Sequence, residues 1–93
     1  MERFKALDFQ PHQIGNGVRA VMKFPNGYEA SVINVLDGSY GANDGLYEIA
    51  VMYDMEIVYN TPVTDYVLGF LSESDVDEVL GRIFDLPAKD AAA

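Results

Sequence analysis

Cysteine and tryptophan are absent from the chain, and histidine occurs once, as His12. Without cysteine there is no disulfide framework, no thiolate zinc site and no cysteine nucleophile. Freedom from cysteine suits a reducing compartment, and a cytoplasmic location is the expectation. Long apolar runs are missing too. No stretch approaches the roughly 20 residues that cross a bilayer as a helix. The opening "MERFKALDFQ" starts with charge and lacks the apolar core of a signal peptide. Basic residues are the last shortage: six Lys and Arg face fifteen Asp and Glu, a net charge of −9. Nucleic-acid binders show a basic stripe, and anionic membrane surfaces attract basic segments, so neither is expected as a direct partner.

The shortage is uneven. In residues 1–23, Arg3, Lys5, Arg19 and Lys23 outnumber Glu2 and Asp8. Residues 24–81 hold eleven acids and no base, and in residues 82–93 Arg82 and Lys89 balance Asp85 and Asp90. A surface shaped only for solubility intersperses both signs. A single-sign field instead fits steering toward a basic partner.

What is present describes a small globular domain. The composition is 49% hydrophobic and 12% aromatic over 93 residues, which excludes a disordered acidic tail. Residues 1–87 read as one domain. Residues 88–93, "AKDAAA", follow Pro87 with nothing to pack and read as a disordered tail.

Hydrophobic periodicity supplies the elements. Val18, Ala20, Met22 and Phe24 alternate with Arg19, Val21 and Lys23, which is strand period. A three-residue loop, Pro25-Asn26-Gly27, pairs Lys23 with Glu29, Met22 with Ala30 and Ala20 with Val32, keeping apolar residues on one face. Pro suits the first corner of a type I turn and Gly27 the left-handed position. A second hairpin spans "GLYEIAVMYDMEIVYN". One of its faces carries Tyr47, Ile49, Val51 and Tyr53, and Asp54-Met55 lies near its turn. Pro62 ends that strand or holds it at an edge. Between the hairpins, "LDGSYGANDG" reads as a loop or bulged strand end.

Ser72 is placed to cap a helix, with Asp75 as its reciprocal partner and Leu71 and Val76 as a hydrophobic staple. Val76, Val79, Leu80, Ile83 and Phe84 form one apolar stripe. Glu73, Asp75, Asp77 and Glu78 crowd the first turns, where the helix dipole favours anions. Glu78 and Arg82 are spaced as an i, i+4 pair. The expected fold class is α+β: an antiparallel meander of about four strands with one C-terminal helix on one face. Residues 3–9 are a candidate further strand.

No motif spells catalysis. His12 stands alone in a polar loop, so a metal site around it would need carboxylates only. The Asp37–Gly45 loop fails the calcium pattern, because its third ligand place is Gly41. "IGNGV" lacks the lysine and the following helix of a phosphate loop. Carboxylate pairs such as Glu48 and Glu56 are what eleven unpaired acids produce by chance. No enzyme, metal or cofactor is expected.

"FPNGYEASVI", "YGANDGLYEIAV" and "YNTPVTDYVLGFLSESDVDEVLGRI" resemble a family of small acidic proteins encoded by tailed phages and prophages. The resemblance covers about residues 20–86, and Thr61-Pro62-Val63-Thr64-Asp65 is its most specific part. An Asp-Gly-like turn would be expected where this chain has Asp54-Met55. The resemblance carries no catalytic residue. It implies a non-enzymatic inhibitor of host machinery, anti-CRISPR-like, acting in the bacterial cytoplasm as monomer or homodimer. Its target would be a basic, nucleic-acid-binding surface of a bacterial defence protein or ribonucleoprotein, approached by a possible nucleic-acid mimic. Asp44, Glu48, Asp54, Glu56, Asp65, Glu73, Asp75, Asp77 and Glu78 are the candidate partner-binding residues. Tyr40, Tyr59 and Tyr66 are candidate anchors, whereas Tyr47 and Tyr53 are expected in the core. The alternative is a small phage accessory or assembly protein that binds another phage protein, or itself, at an exposed strand edge.

Overall fold

Pro25, Asn26 and Gly27 turn the chain between β2 (Asn16–Lys23) and β3 (Tyr28–Leu36) in the three-residue loop that the alternation favours. Lys23 pairs with Glu29, Met22 with Ala30 and Ala20 with Val32. The Phe24 N–H donates to the Tyr28 carbonyl at 2.9 Å, and Gly27 takes a φ of 92°. The computed structural model describes residues 1–64 and 67–88; the expected tail falls almost wholly outside them.

The sheet is an antiparallel meander of six strands rather than about four. The two beyond the expected hairpins are the two-residue Gln10–Pro11, too short to show a period, and Val67–Leu71, whose apolar spacing does not fit a period of two. β1 (Gln10–Pro11) lies on β2, β3 pairs with β4 (Tyr47–Tyr53), and both β5 (Glu56–Ile57) and β6 (Val67–Leu71) pair with β4 on its far side. β5 covers the end of β4 and β6 its beginning, so together they form one edge. A short 3₁₀ turn, Ala42–Asp44, sits in the β3–β4 connection.

Residues 3–9 are not a strand. Glu2–Lys5 forms a single helical turn, α1, after which Leu7 and Phe9 reach the core. The cause is long-range: the Phe4 N–H donates to Asp77 Oδ1 at 2.9 Å, and the Phe4, Phe9 and Tyr47 rings pack with centroids 5.5–6.0 Å apart.

α2 (Glu73–Phe84) begins as its sequence requires. Ser72 accepts from the Asp75 N–H, and Asp75 accepts from the Ser72 N–H, closing the capping box. Val76, Val79, Leu80 and Ile83 are buried against Phe24, Ala30, Val32, Ile49 and Val51 of the sheet's inner face. Phe84, counted in the same stripe, is 48% exposed; it meets Phe24 edge-on and carries Arg3 above its ring, 5.4 Å from the centroid. The other end of the helix is closed by the hairpin loop. Asn26 Nδ2 donates to the carbonyls of Ile83, at 2.9 Å, and Leu86, at 2.9 Å, satisfying acceptors that a helix end leaves open.

Candidate protein interface

This sheet converts sequence position into lateral position, because β1 to β5 each lie beside their chain neighbours and β6 returns to the same edge on β4. Charge segregated along this sequence is therefore segregated across the sheet. Arg19 and Lys23 lie on β2. Arg3, on α1, lines a shallow depression together with Lys23 and Phe24. Glu48, Asp54 and Glu56 lie on or beside β4 and β5 at the opposite flank. Two bases lean toward that flank: Arg19 crosses β3 to Ser31 Oγ (3.1 Å) and Met52 Sδ (3.8 Å), and Arg82 donates to the Pro62 carbonyl at 3.4 Å. Arg82 thus meets a carbonyl instead of its expected helical partner Glu78.

The candidate acids fall into three groups. Asp44, Glu48, Glu73 and Asp75 gather near the start of β4, where Tyr47 pairs with Leu71 one residue before the helix cap. Asp54 and Glu56 sit at the other end, about 20 Å away by the rise of an extended strand. Asp77 and Glu78 lie further along α2. Asp65 lies outside the described residues.

Their environments differ more than their spacing suggests. Asp44, Asp54, Glu56, Glu73 and Glu78 are exposed. Glu48 is half-buried, and its Oε1 accepts the Tyr40 N–H at 3.0 Å. The Asp75 carboxyl is held below the usual carboxylate range by the Ser72 backbone N–H, and further by the Ser72 hydroxyl. The Asp77 carboxyl is lowered chiefly by the Phe4 backbone N–H, with the Met1 amine 3.5 Å away. Asp75 and Asp77 are thus engaged within the fold, in the cap and in docking the N-terminal turn. Burial, and after it the charge of Glu73, raise the Tyr47 phenol, whose ring packs with Phe4 and Phe9. Tyr53 is half-buried beside Tyr28, centroids 5.8 Å apart. Tyr40 and Tyr59 are exposed, and Tyr66 lies outside the described residues.

In the Asp37–Gly45 loop, Asn43 Nδ2 donates to Asp37 Oδ1 at 2.8 Å, and the Asp37 N–H returns a bond to Asn43 Oδ1 at 2.9 Å. These oxygens close the loop on itself. His12 Nδ1 accepts the Ile14 N–H at 3.1 Å. Among the described residues no three His, Asp or Glu side chains come together as a metal site needs, and no helix is long and apolar enough to cross a membrane.

The feature that sequence reasoning missed is Phe70. It is 60% exposed and takes a φ of 56°, in the left-handed region. Its ring stacks on that of Tyr40, itself 57% exposed, with centroids 6.5 Å apart and planes inclined by 27°. The signal in the sequence is faint: Leu68 and Leu71, three apart in a five-residue strand, do not fit a period of two.

Compared with family models, curated proteins and solved structures, the chain matches none of them.

Proposed function

We propose that this chain is a non-enzymatic binding protein whose acidic flank docks on a basic, nucleic-acid-binding surface of another protein. Its proposed target is a bacterial defence protein or ribonucleoprotein, which the chain inhibits by occupying the place of nucleic acid. The observation that carries this reading is the lateral charge separation. The flank built by β4, β5, β6 and the start of α2 presents Asp44, Glu48, Asp54, Glu56 and Glu73 over a strip about 20 Å long, measured by strand rise. Such a field raises the on-rate toward a basic surface and rejects acidic ones. The phage-inhibitor part rests on the sequence resemblance, and the acidic flank is the feature such an inhibitor would use.

The test is capture from bacterial lysate by the immobilised protein, followed by elution with single-stranded DNA or RNA. The reading expects a nucleic-acid-binding protein that the polynucleotide displaces and that Asp54→Lys/Glu56→Lys fails to retain. Capture indifferent to both would overturn it.

One observation favours the alternative of an accessory protein that pairs with a phage protein or with itself. Among the described residues β1 covers only Val18 and Arg19 of β2. The bond from Phe24 to Tyr28 sets the alternation, so Val21 and Lys23 direct their backbone N–H and C=O groups away from β3. That edge is open to strand addition, although Lys23 on it discourages pairing. A strand partner there would be insensitive to charge reversal at Asp54 and Glu56.

A further inference from the structure

The register of β6 explains the place of Phe70 but not its identity. Leu68 pairs with Ile49 and Leu71 with Tyr47, so two residues of β6, Gly69 and Phe70, stand opposite Glu48 alone. This is a β-bulge. In an uninterrupted strand Leu68 and Phe70 would share the inner face. The bulge ejects Phe70 and brings Leu71 inward, next to the helix cap. The fold needs the bulge; nothing in it calls for an aromatic residue there. Glycine or asparagine adopts a φ of 56° with less strain. The chain instead keeps a large apolar side chain in a strained backbone and exposes it to water.

The surroundings hold that side chain in place. The Phe70 N–H donates to the Tyr40 carbonyl at 3.2 Å. A Cβ added at Gly69 would collide with Tyr40 Cβ, and one added at Gly41 would lie 2.9 Å from Phe70 Cα, so both glycines permit the approach of the two segments. The Tyr40 N–H anchors Glu48 Oε1, and Glu48 Oε2 has no partner among the described residues. Two exposed rings, pre-stacked, thus stand beside a carboxylate with one oxygen already hydrogen-bonded, on the acidic flank.

We infer that the Tyr40–Phe70 platform is the anchor of the partner interface and takes an arginine side chain from a basic protein segment, with Glu48 as the counter-charge to the guanidinium. The inference rests on the acidic-flank reading and specifies its anchor. Charge complementarity selects the occupant: the flank repels acidic partners, and a planar cation is the group that satisfies both a ring face and a carboxylate. Lysine would meet the carboxylate but would use the rings less well.

The experiment uses an arginine-only peptide and a lysine-only peptide of equal length as probes. Each is titrated into the wild type, Phe70→Asn and Tyr40→Ala by calorimetry at low and physiological salt, with thermal melts of all three proteins. The wild type should prefer the arginine peptide. Phe70→Asn should bind it about tenfold more weakly, the loss that a desolvated cation–π contact supports, while melting no lower than the wild type because backbone strain is relieved. Tyr40→Ala, which leaves the bulge sequence intact, should reproduce the binding loss. Equal binding of both peptides by the wild type, or an unchanged arginine affinity in both variants, would overturn the platform while leaving the acidic-flank reading standing. Failure of the wild type to bind either peptide at low salt would remove that reading and the platform together. If light scattering finds a wild-type dimer that Phe70→Asn converts to monomer, the occupant is a second copy and the inference falls.

Discussion

The two halves of the sheet obey different rules. Through residue 36 every left-handed residue is a glycine, Gly15 or Gly27. Beyond it, among the described residues, four non-glycine residues, Asp37, Asp54, Met55 and Phe70, also take positive φ. The first half is locally relaxed and bears the basic strand β2. The second is locally strained, bears the acidic flank and exposes the Tyr40–Phe70 pair. Where local preference and global fold disagree, the disagreement marks a place shaped by something other than folding. The contrast directs attention to the β4–β6 flank independently of charge.

The comparison breaks most readily at what the halves share. Leu80 is fully buried between α2 and strands from both halves. Leu80→Ala should cost about 2–5 kcal/mol. Both halves should melt together in one transition, seen by circular dichroism and by aromatic NMR signals; two separate transitions would show that the halves fold independently.

Within the relaxed half, Asn26 ties the hairpin loop to the end of α2. Asn26→Ala leaves the Ile83 and Leu86 carbonyls without their donor and should destabilise by about 1–3 kcal/mol in chemical denaturation. An effect below a few tenths of a kcal/mol would mean that water replaces the side chain at no cost.

In the strained half the sign reverses. Tyr53 pairs with Glu56 across a two-residue turn whose residues, Asp54 and Met55, have φ of 52° and 65°. This is the left-handed pair that a type I′ turn requires and that Asn-Gly or Asp-Gly supplies. Met55 is 81% exposed, so Met55→Gly removes little packing. It should raise stability by about 1 kcal/mol. A loss of stability would show that Met55 has a structural task. The expectation of an Asp-Gly-like turn at this place thus has a physical basis, and this chain departs from it.

Acid should act on the seam between the N-terminal turn and the helix. Asp75 and Asp77 both have lowered carboxyl pKa values in the folded state. Their contribution is complete above the ordinary carboxylate value and is lost as pH falls through the lowered folded values. The Phe4 and Ser72 amide signals should therefore titrate below about pH 4, the ordinary Asp value, with fraying of α1 accompanying the Phe4 change. Invariant amides through that range would contradict the hydrogen bonds assigned here.

In both halves, what was legible had local determinants. Pro-Asn-Gly fixes the β2–β3 register, and Ser72 with Asp75 fixes the start of α2 within one turn of chain. The remainder depends on residues far apart in sequence. The Phe4–Asp77 bond spans 73 positions and turns an apparent strand into α1. Asn26 reads as a turn residue until the helix end is seen above it. The β6 bulge follows from bringing Leu71 to the core, which no alternation in "VLGFL" announces. The acidic field was visible as composition, and its lateral placement follows from a meander. Which acids remain free to meet a partner was not visible: Asp75 and Asp77 are committed to the cap and the N-terminal turn, and among the described candidates this leaves Asp44, Asp54, Glu56, Glu73 and Glu78, with Glu48 engaged through one oxygen.

The central claim is that the acidic flank, and not the helix start as a whole, steers a basic partner. Stopped-flow association with the captured partner, measured against ionic strength, compares wild type, Asp54→Lys/Glu56→Lys and Lys23→Glu on the opposite strand. The wild-type on-rate should fall steeply with salt, the flank variant should associate slowly and almost independently of salt, and Lys23→Glu should associate as fast as the wild type or faster. Equal on-rates for the wild type and the flank variant at low salt, with both proteins folded, would contradict the claim.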